Sequence, residues 1–240
     1  MNKILTEKQY LVLTGNYGSG KTELALNLAM QFARKFKTTL VDLDIVNPYF
    51  RSGEKAEEAE QAGIRMLMPT FAMTTVDIPA LPAEIQSVFE VPSERTIFDV
   101  GGDDTGAAAL GRYYPSFIAR RDQTAVMLVV NCMRPLTQNT EDIIDLALRI
   151  ENRGRLKIDA IINNTNLADQ TEPGMVEAGE KTVLECAERM GIRLVITAGK
   201  QEVLDRCSLV TPTLAVRRYM APEWMESWAI FSFRKHLSAE

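Results

Sequence analysis

Seven short apolar runs punctuate the chain: YLVLTG (10–15), TTLVDLD (38–44), IRMLMP (64–69), RTIFDVG (95–101), AVMLVVN (125–131), DAIINNT (159–165) and RLVITAG (193–199). Most are continuously apolar rather than alternating, the pattern of parallel strands covered on both faces. Between them Leu24, Leu28, Phe32 and Phe36 recur at helical spacing, as do Ile143, Leu146 and Ile150, and later Val183, Cys186, Ala187 and Met190. This alternation predicts a mostly parallel open sheet of about seven strands with helices on both faces, a three-layer α/β/α fold with right-handed crossovers. No internal repeat, low-complexity tract or linker divides the 240 residues, so 1–240 reads as one domain. Two segments fit less well. Residues 70–94 carry Pro79, Pro82 and Pro92 and read as a loop followed by a short helix. Residues 205–221 read as irregular and lead into a final helix at 222–237, with Pro222 at its first position.

Charge and cysteine usage narrow the classes. A net charge of −5 and a pI near 5.2 argue against nucleic-acid binding. Lys3, Glu7 and Lys8 interrupt the N-terminus before any signal-like apolar stretch, and no run of eighteen apolar residues occurs. Three cysteines, Cys132, Cys186 and Cys207, are odd in number and form no CxxC pair, which reads as reduced thiols in a cytoplasmic protein without a cysteine-built metal site. In the final helix Trp224, Trp228 and Phe231 share one face, yet basic residues (Arg234, Lys235) come only at its end, after two glutamates. That pattern suits docking on the sheet or on a second subunit better than a membrane surface. His236 is the single histidine and a poor candidate for a general base.

Gly15-Asn16-Tyr17-Gly18-Ser19-Gly20-Lys21-Thr22 matches G-x-x-x-x-G-K-[ST] between a predicted strand and a predicted helix. Glycines at these positions let successive N–H groups turn inward around a phosphate, and the helix N-terminus adds its positive dipole end. Lys21 is expected to reach the β- and γ-phosphates and the Thr22 hydroxyl to hold Mg²⁺. The alternative, a glycine-rich turn carrying a surface lysine, lacks a reason for the flanking elements.

Acidic residues follow at two further strand ends. Asp42 and Asp44, two apart on an extended chain, point to the same side at the carboxyl edge of the sheet, where ligands bind in open α/β folds. Beside a triphosphate they require Mg²⁺ between them or a water to handle; a turn aspartate ahead of Pro48 is the plainer reading. Asp99 closes the run IFD and fits a carboxylate that orients Mg²⁺ through water, and Gly102 is positioned to offer its N–H to a γ-phosphate. Asp103 and Asp104 read as caps of a helix starting near Thr105.

The phosphate loop, then VDLD, then DVGG resembles the SIMIBI class of P-loop nucleotidases, and within it the MinD and ParA ATPases and the metallocentre-maturation ATPases. The resemblance spans roughly residues 8–200 in element order. It implies that Lys21 and Thr22 bind phosphate and Mg²⁺, that Asp42 supports the metal with Asp99 as second metal-side carboxylate, that Asp44 orients the attacking water, and that Gly102 senses the γ-phosphate. Asn16 stands where many of those ATPases carry a second lysine, and the cysteine pairs of the iron–sulfur members are missing.

IINNTN (161–166) ends a strand where this class often sets an asparagine against the purine, so Asn163 or Asn164 is expected to read the base; strand-end asparagines also make turns without a ligand. The N-K-x-D pattern for guanine is not met, which favours ATP over GTP, and TAGK (197–200) supplies a second wall. Arg51 and Arg112 are the candidate arginine fingers, the latter more simply a solvated helix residue. The expectation is a Mg²⁺-dependent nucleotidase acting as a switch or maturation factor on a protein client or as a homodimer. The alternatives are a small-molecule kinase or ATP-driven ligase, closed by 70–94 and 205–221, and a non-catalytic nucleotide-controlled binding module.

Overall fold

A computed structural model describes residues 3–44, 53–68, 83–102 and 104–219. Eight strands form one sheet: β1 Tyr10–Gly15, β2 Thr38–Leu43, β3 Ile64–Leu67, β4 Arg95–Val100, β5 Thr124–Val130, β6 Ala160–Asn163, β7 Leu194–Gly199 and β8 Thr213–Ala215. Their order is β3-β2-β4-β1-β5-β6-β7-β8, and every neighbouring pair is parallel. Each of the seven predicted strands is present. The open parallel sheet of about seven strands is thus borne out, and the eighth strand lies inside a stretch read as irregular. Only Leu214 of its three residues is buried, so it carries almost no apolar signal. It forms because buried Glu180 accepts from the backbone N–H groups of Val210 and Thr211 (3.1 and 2.9 Å) and steers the chain alongside β7.

The helices among the described residues are α1 Lys3–Glu7, α2 Lys21–Ala33, α3 Gly53–Gln61, α4 Ala83–Glu90, α5 Asp104–Arg112, α6 Tyr114–Ile118, α7 Thr140–Gly154, α8 Pro173–Met190 and α9 Gln201–Leu204. The short helix expected within 70–94 is α4. The predicted helix at 222–237, Arg51, His236 and Asp103 lie outside the described residues. No described helix is long and apolar enough to cross a membrane.

Continuous apolar runs follow from two cores. On one face Leu11, Leu13, Ile97, Met127 and Val129 meet Leu24, Leu28 and Phe32 of α2. On the other, Tyr10, Val12, Phe98, Val126 and Leu128 meet Ile85, Phe89, Phe117, Ile143 and Val183. Adjacent residues of one strand therefore bury in opposite layers. Cys186 is buried, Cys132 and Cys207 are half-buried, and all three are free thiols.

Phe98, fully buried, sits edge-on to Phe117 at 5.1 Å and stacked on Phe89 at 5.8 Å between ring centroids. Phe98→Ala removes the centre of this cluster and is expected to destabilise the chain by about 3–5 kcal/mol. The check is the shift in urea midpoint at unchanged m-value.

Candidate functional site

Strand β1 is the pivot of the sheet: β4 flanks it on one side and β5 on the other, and its successor in sequence, β2, pairs beyond β4. The crevice at its carboxyl end is the topological switch point where ligands bind in open α/β sheets. The first glycine is fixed by sterics. A Cβ on Gly15 (φ +145°) would fall 2.2 Å from the Val129 carbonyl oxygen. The loop then turns through Gly18 (φ +71°) and Gly20 (φ +88°), the latter the N-cap of α2 with no side chain to occupy the helix end. The first helical bond of α2 is Leu24 N–H to Gly20 C=O at 3.0 Å, so the preceding N–H groups lie at the open end of the helix.

Buried polar groups converge on this turn. Lys21 is only 6% exposed and its Nζ donates to the Asn16 carbonyl oxygen at 2.9 Å. Ser19 is wholly buried with its hydroxyl lacking a partner. Asp42 and Asp99 are register partners on adjacent β2 and β4 and are 1% and 2% exposed. The Thr22 hydroxyl lies close enough to the Asp99 carboxylate to favour its charged form, and Asp99 Oδ1 has no hydrogen-bond partner. Asp42 accepts from the Asp44 N–H at 2.8 Å, and the Asp44 carboxylate lies against Gly101. Gly102 closes the site: a Cβ there would lie 2.5 Å from Tyr17 N and 2.9 Å from Lys21 Nζ. Tyr17 itself is 65% exposed.

Burial, then the neighbouring Asp99 and Asp44 charges, pushes Asp42 up to about 8 despite its bond from Asp44 N–H. Burial raises Asp99 to about 6 against the Thr22 hydroxyl and the Lys21 ammonium. A corner with three carboxylates, an orphaned Asp99 oxygen and an orphaned Ser19 hydroxyl fits a cation with hydrogen-bonding oxygens around it. Among the described residues no set of three or more His, Cys, Asp or Glu side chains is arranged to hold a metal alone. Thr22 with phosphate oxygens and water is the donor set that suits Mg²⁺.

A cavity of about 220 Å³ opens beside the loop, lined by Gly18, Gly20, Arg134, Asn164, Lys200 and Val216 among others. The structure thus brings together Gly15 to Thr22, Asp42, Asp44, Asp99 and Gly102. It does not bring Asn163 into the cavity. That amide is fully buried, donating to the Val176 carbonyl at 3.1 Å and accepting from the Thr165 hydroxyl at 2.7 Å. Asn164 lines the cavity, but its Nδ2 donates to the Ser19 carbonyl at 2.8 Å and so braces the loop. Gly199 and Lys200 form part of the wall, as TAGK suggested. Arg112 is exposed at the end of α5 and lines no part of the cavity.

Residues missed in the sequence include Arg134 and the 216–218 segment. Arg134 follows β5, and proximity to the carboxyl end of a central strand was the available signal. The 216–218 segment is held by Asn27, whose amide exchanges two 2.7 Å bonds with the Arg217 backbone, a pairing across 190 residues that no local pattern announces.

No family model and no curated protein matches this chain. Among solved structures it is similar to the cell division protein ftsY of Thermotoga maritima, at 17% identity and a TM-score of 0.52, over 82% of this chain and 64% of that one. It is also similar to the signal recognition particle 54 kDa protein of Aeropyrum pernix K1, solved in complex with GDP, at 24% identity and a TM-score of 0.50, over 80% of this chain and 42% of that one. The chain thus spans less than two thirds of either protein. At these identities the likeness is one of fold alone, an open parallel α/β sheet with helices on both faces.

The raised carboxyls make metal-free stability pH-dependent. A folded-state pKa above the unfolded one means the native chain holds its proton longer, so Asp42 lowers stability progressively as pH rises from about 4 to 8. In EDTA without nucleotide, the melting temperature of wild type relative to Asp42→Asn is expected to fall across that window. A pH-independent difference would contradict the assignment.

Proposed function

We propose that the chain is a Mg²⁺-dependent nucleoside triphosphatase, with ATP as its nucleotide, that works as a nucleotide-controlled switch on a protein client or as a homodimer, in the manner of the MinD, ParA and maturation ATPases it resembles. One observation carries the reading: the Lys21 ammonium is buried inside the glycine turn, satisfied by the Asn16 carbonyl and packed beneath Gly102. A buried cation bonded to a loop carbonyl can exchange that neutral acceptor for charged phosphate oxygens, a stronger partner.

The residues divide the work. N–H groups of Gly18 to Thr22 cradle the phosphates, Lys21 bonds the β- and γ-oxygens, and the Gly102 N–H meets the γ-phosphate. Asp44, half-buried beside Gly101, holds the attacking water in line. The Thr22 hydroxyl, with the Asp42 and Asp99 carboxylates, would hold Mg²⁺, which would supply charge neutralisation for the phosphates. Positioning and preorganised electrostatics then supply the acceleration. Because Gly102 and Asp44 sit on loops that contact each other through Gly101, loss of the γ-phosphate releases both together, which is the conformational signal to a partner.

Adenine is supported by the sequence: the N-K-x-D pattern that reads guanine is not met, because Thr165-Asn166 supplies no aspartate after the asparagines that end β6. Asn164 and Asn166 line the cavity there.

Lys21→Ala is expected to abolish measurable ATP binding. Asp44→Asn is expected to leave the ATP Kd within about threefold and slow phosphate release by about 100-fold, the scale of a lost water-handling group. Calorimetry and a phosphate-release assay read both. Wild-type turnover in Asp44→Asn would remove its assigned role; ATP consumption only with a small-molecule acceptor would favour a kinase or ligase, and tight binding without turnover a binding module.

A further inference from the structure

The connection from β5 to α7, residues 131–139, is built from polar contacts and is closed tightly on itself. Asn131, 1% exposed, accepts from Met133 N–H (3.0 Å) and Asn166 N–H (3.2 Å) and donates to the Asn166 carbonyl (3.1 Å). Fully buried Thr137 donates to the Asn131 carbonyl at 2.8 Å. Between them Leu136 has φ +65°, a conformation uncommon for a branched side chain, and it persists because the surrounding bonds impose it.

That closure lays Arg134 against the phosphate loop. Its Nε donates to the Gly18 carbonyl at 3.2 Å, and in return the Asn16 amide donates to the Pro135 carbonyl at 2.9 Å. The guanidinium carbon is 3.9 Å from where a Cβ on Gly18 would stand. Two loops from different strands are thus fastened at two points, with a cation at the junction. Lys200 and Arg218 give their charge to Asp169, whereas among the described residues no carboxylate pairs with Arg134.

The phosphate loop has two distinguishable ends. Lys21 Nζ, Gly102 and the Asp99–Thr22 pair define one, suited to the terminal phosphate. Arg134 borders the other, where Gly18, Gly20 and Asn164 open into the cavity. A planar guanidinium with donors beyond Nε matches phosphate oxygens well. We infer that Arg134 is a cis phosphate-binding residue that grips the α- and β-phosphates, next to the cavity, and so serves diphosphate and triphosphate alike. The inference rests on the nucleotide reading above. Its energetic character is uniform binding rather than preferential stabilisation of the transition state.

The test titrates ADP and a non-hydrolysable ATP analogue, each with Mg²⁺, into the full chain at low and moderate salt. Arg134→Gln keeps a donor for the Gly18 carbonyl and removes the charge. It is expected to weaken both nucleotides by the same factor, about 10- to 100-fold, and to flatten the salt dependence; Arg134→Lys recovers part of the loss. Wild-type affinity in Arg134→Gln overturns the inference, as does loss of the ATP analogue alone, which would assign the arginine to the γ-end. Equal failure of both variants together with a lowered melting temperature without nucleotide makes Arg134 structural and also overturns it. Wild-type protein that binds neither nucleotide would instead overturn the nucleotide reading itself, and this inference with it.

Discussion

The close approach of β1 to β5 at Gly15 is the constraint on which the site depends. A side chain there would collide with the Val129 carbonyl, so the chain turns off the sheet at that point and nowhere later. Everything functional is measured from that turn. It sets α2 with an uncapped N-terminus, and it directs Lys21 back under the loop. It also brings the loop within reach of Asp99, whose strand runs directly beside β1. Had another strand come between β1 and β4, Asp99 could not stand beside the loop that follows β1.

Electrostatics then explains why the site is built for a ligand rather than for stability. Asp42 and Asp99 face each other from adjacent strands, both nearly without solvent, and burial drives both toward their neutral forms. A stable fold gains nothing from two desolvated acids and an unpaired Ser19 hydroxyl beside a buried lysine. Such a combination suits the proposed ligands, phosphate for the ammonium and the N–H groups and a cation for the carboxylates.

Legibility in the sequence followed from how local each determinant is. β1 and β5 were readable because both their faces are buried, which writes a largely apolar run. The glycine turn after β1 was readable because its glycines and lysine are contiguous in the sequence. The choice between Asn163 and Asn164 was not, since the two amides leave the end of β6 in different directions, one into the α8 packing and one onto the loop. Strand β8 depends on Glu180, more than thirty residues upstream, and short apolar content gave no hint of it. Arg134 is delivered by a loop whose shape hinges on the left-handed Leu136, which propensity would not suggest. Local chemistry was visible; contacts across the sheet were not.

The central claim is that the turn after β1 exchanges its own carbonyl for phosphate as the partner of Lys21. A crystal structure of the full chain grown with magnesium and a non-hydrolysable ATP analogue measures this directly. The account predicts the β-phosphate inside the Gly15–Thr22 turn and Lys21 Nζ moved from the Asn16 carbonyl onto phosphate oxygens. Nucleotide bound elsewhere, or Lys21 still on Asn16 with the turn lacking phosphate, would contradict it.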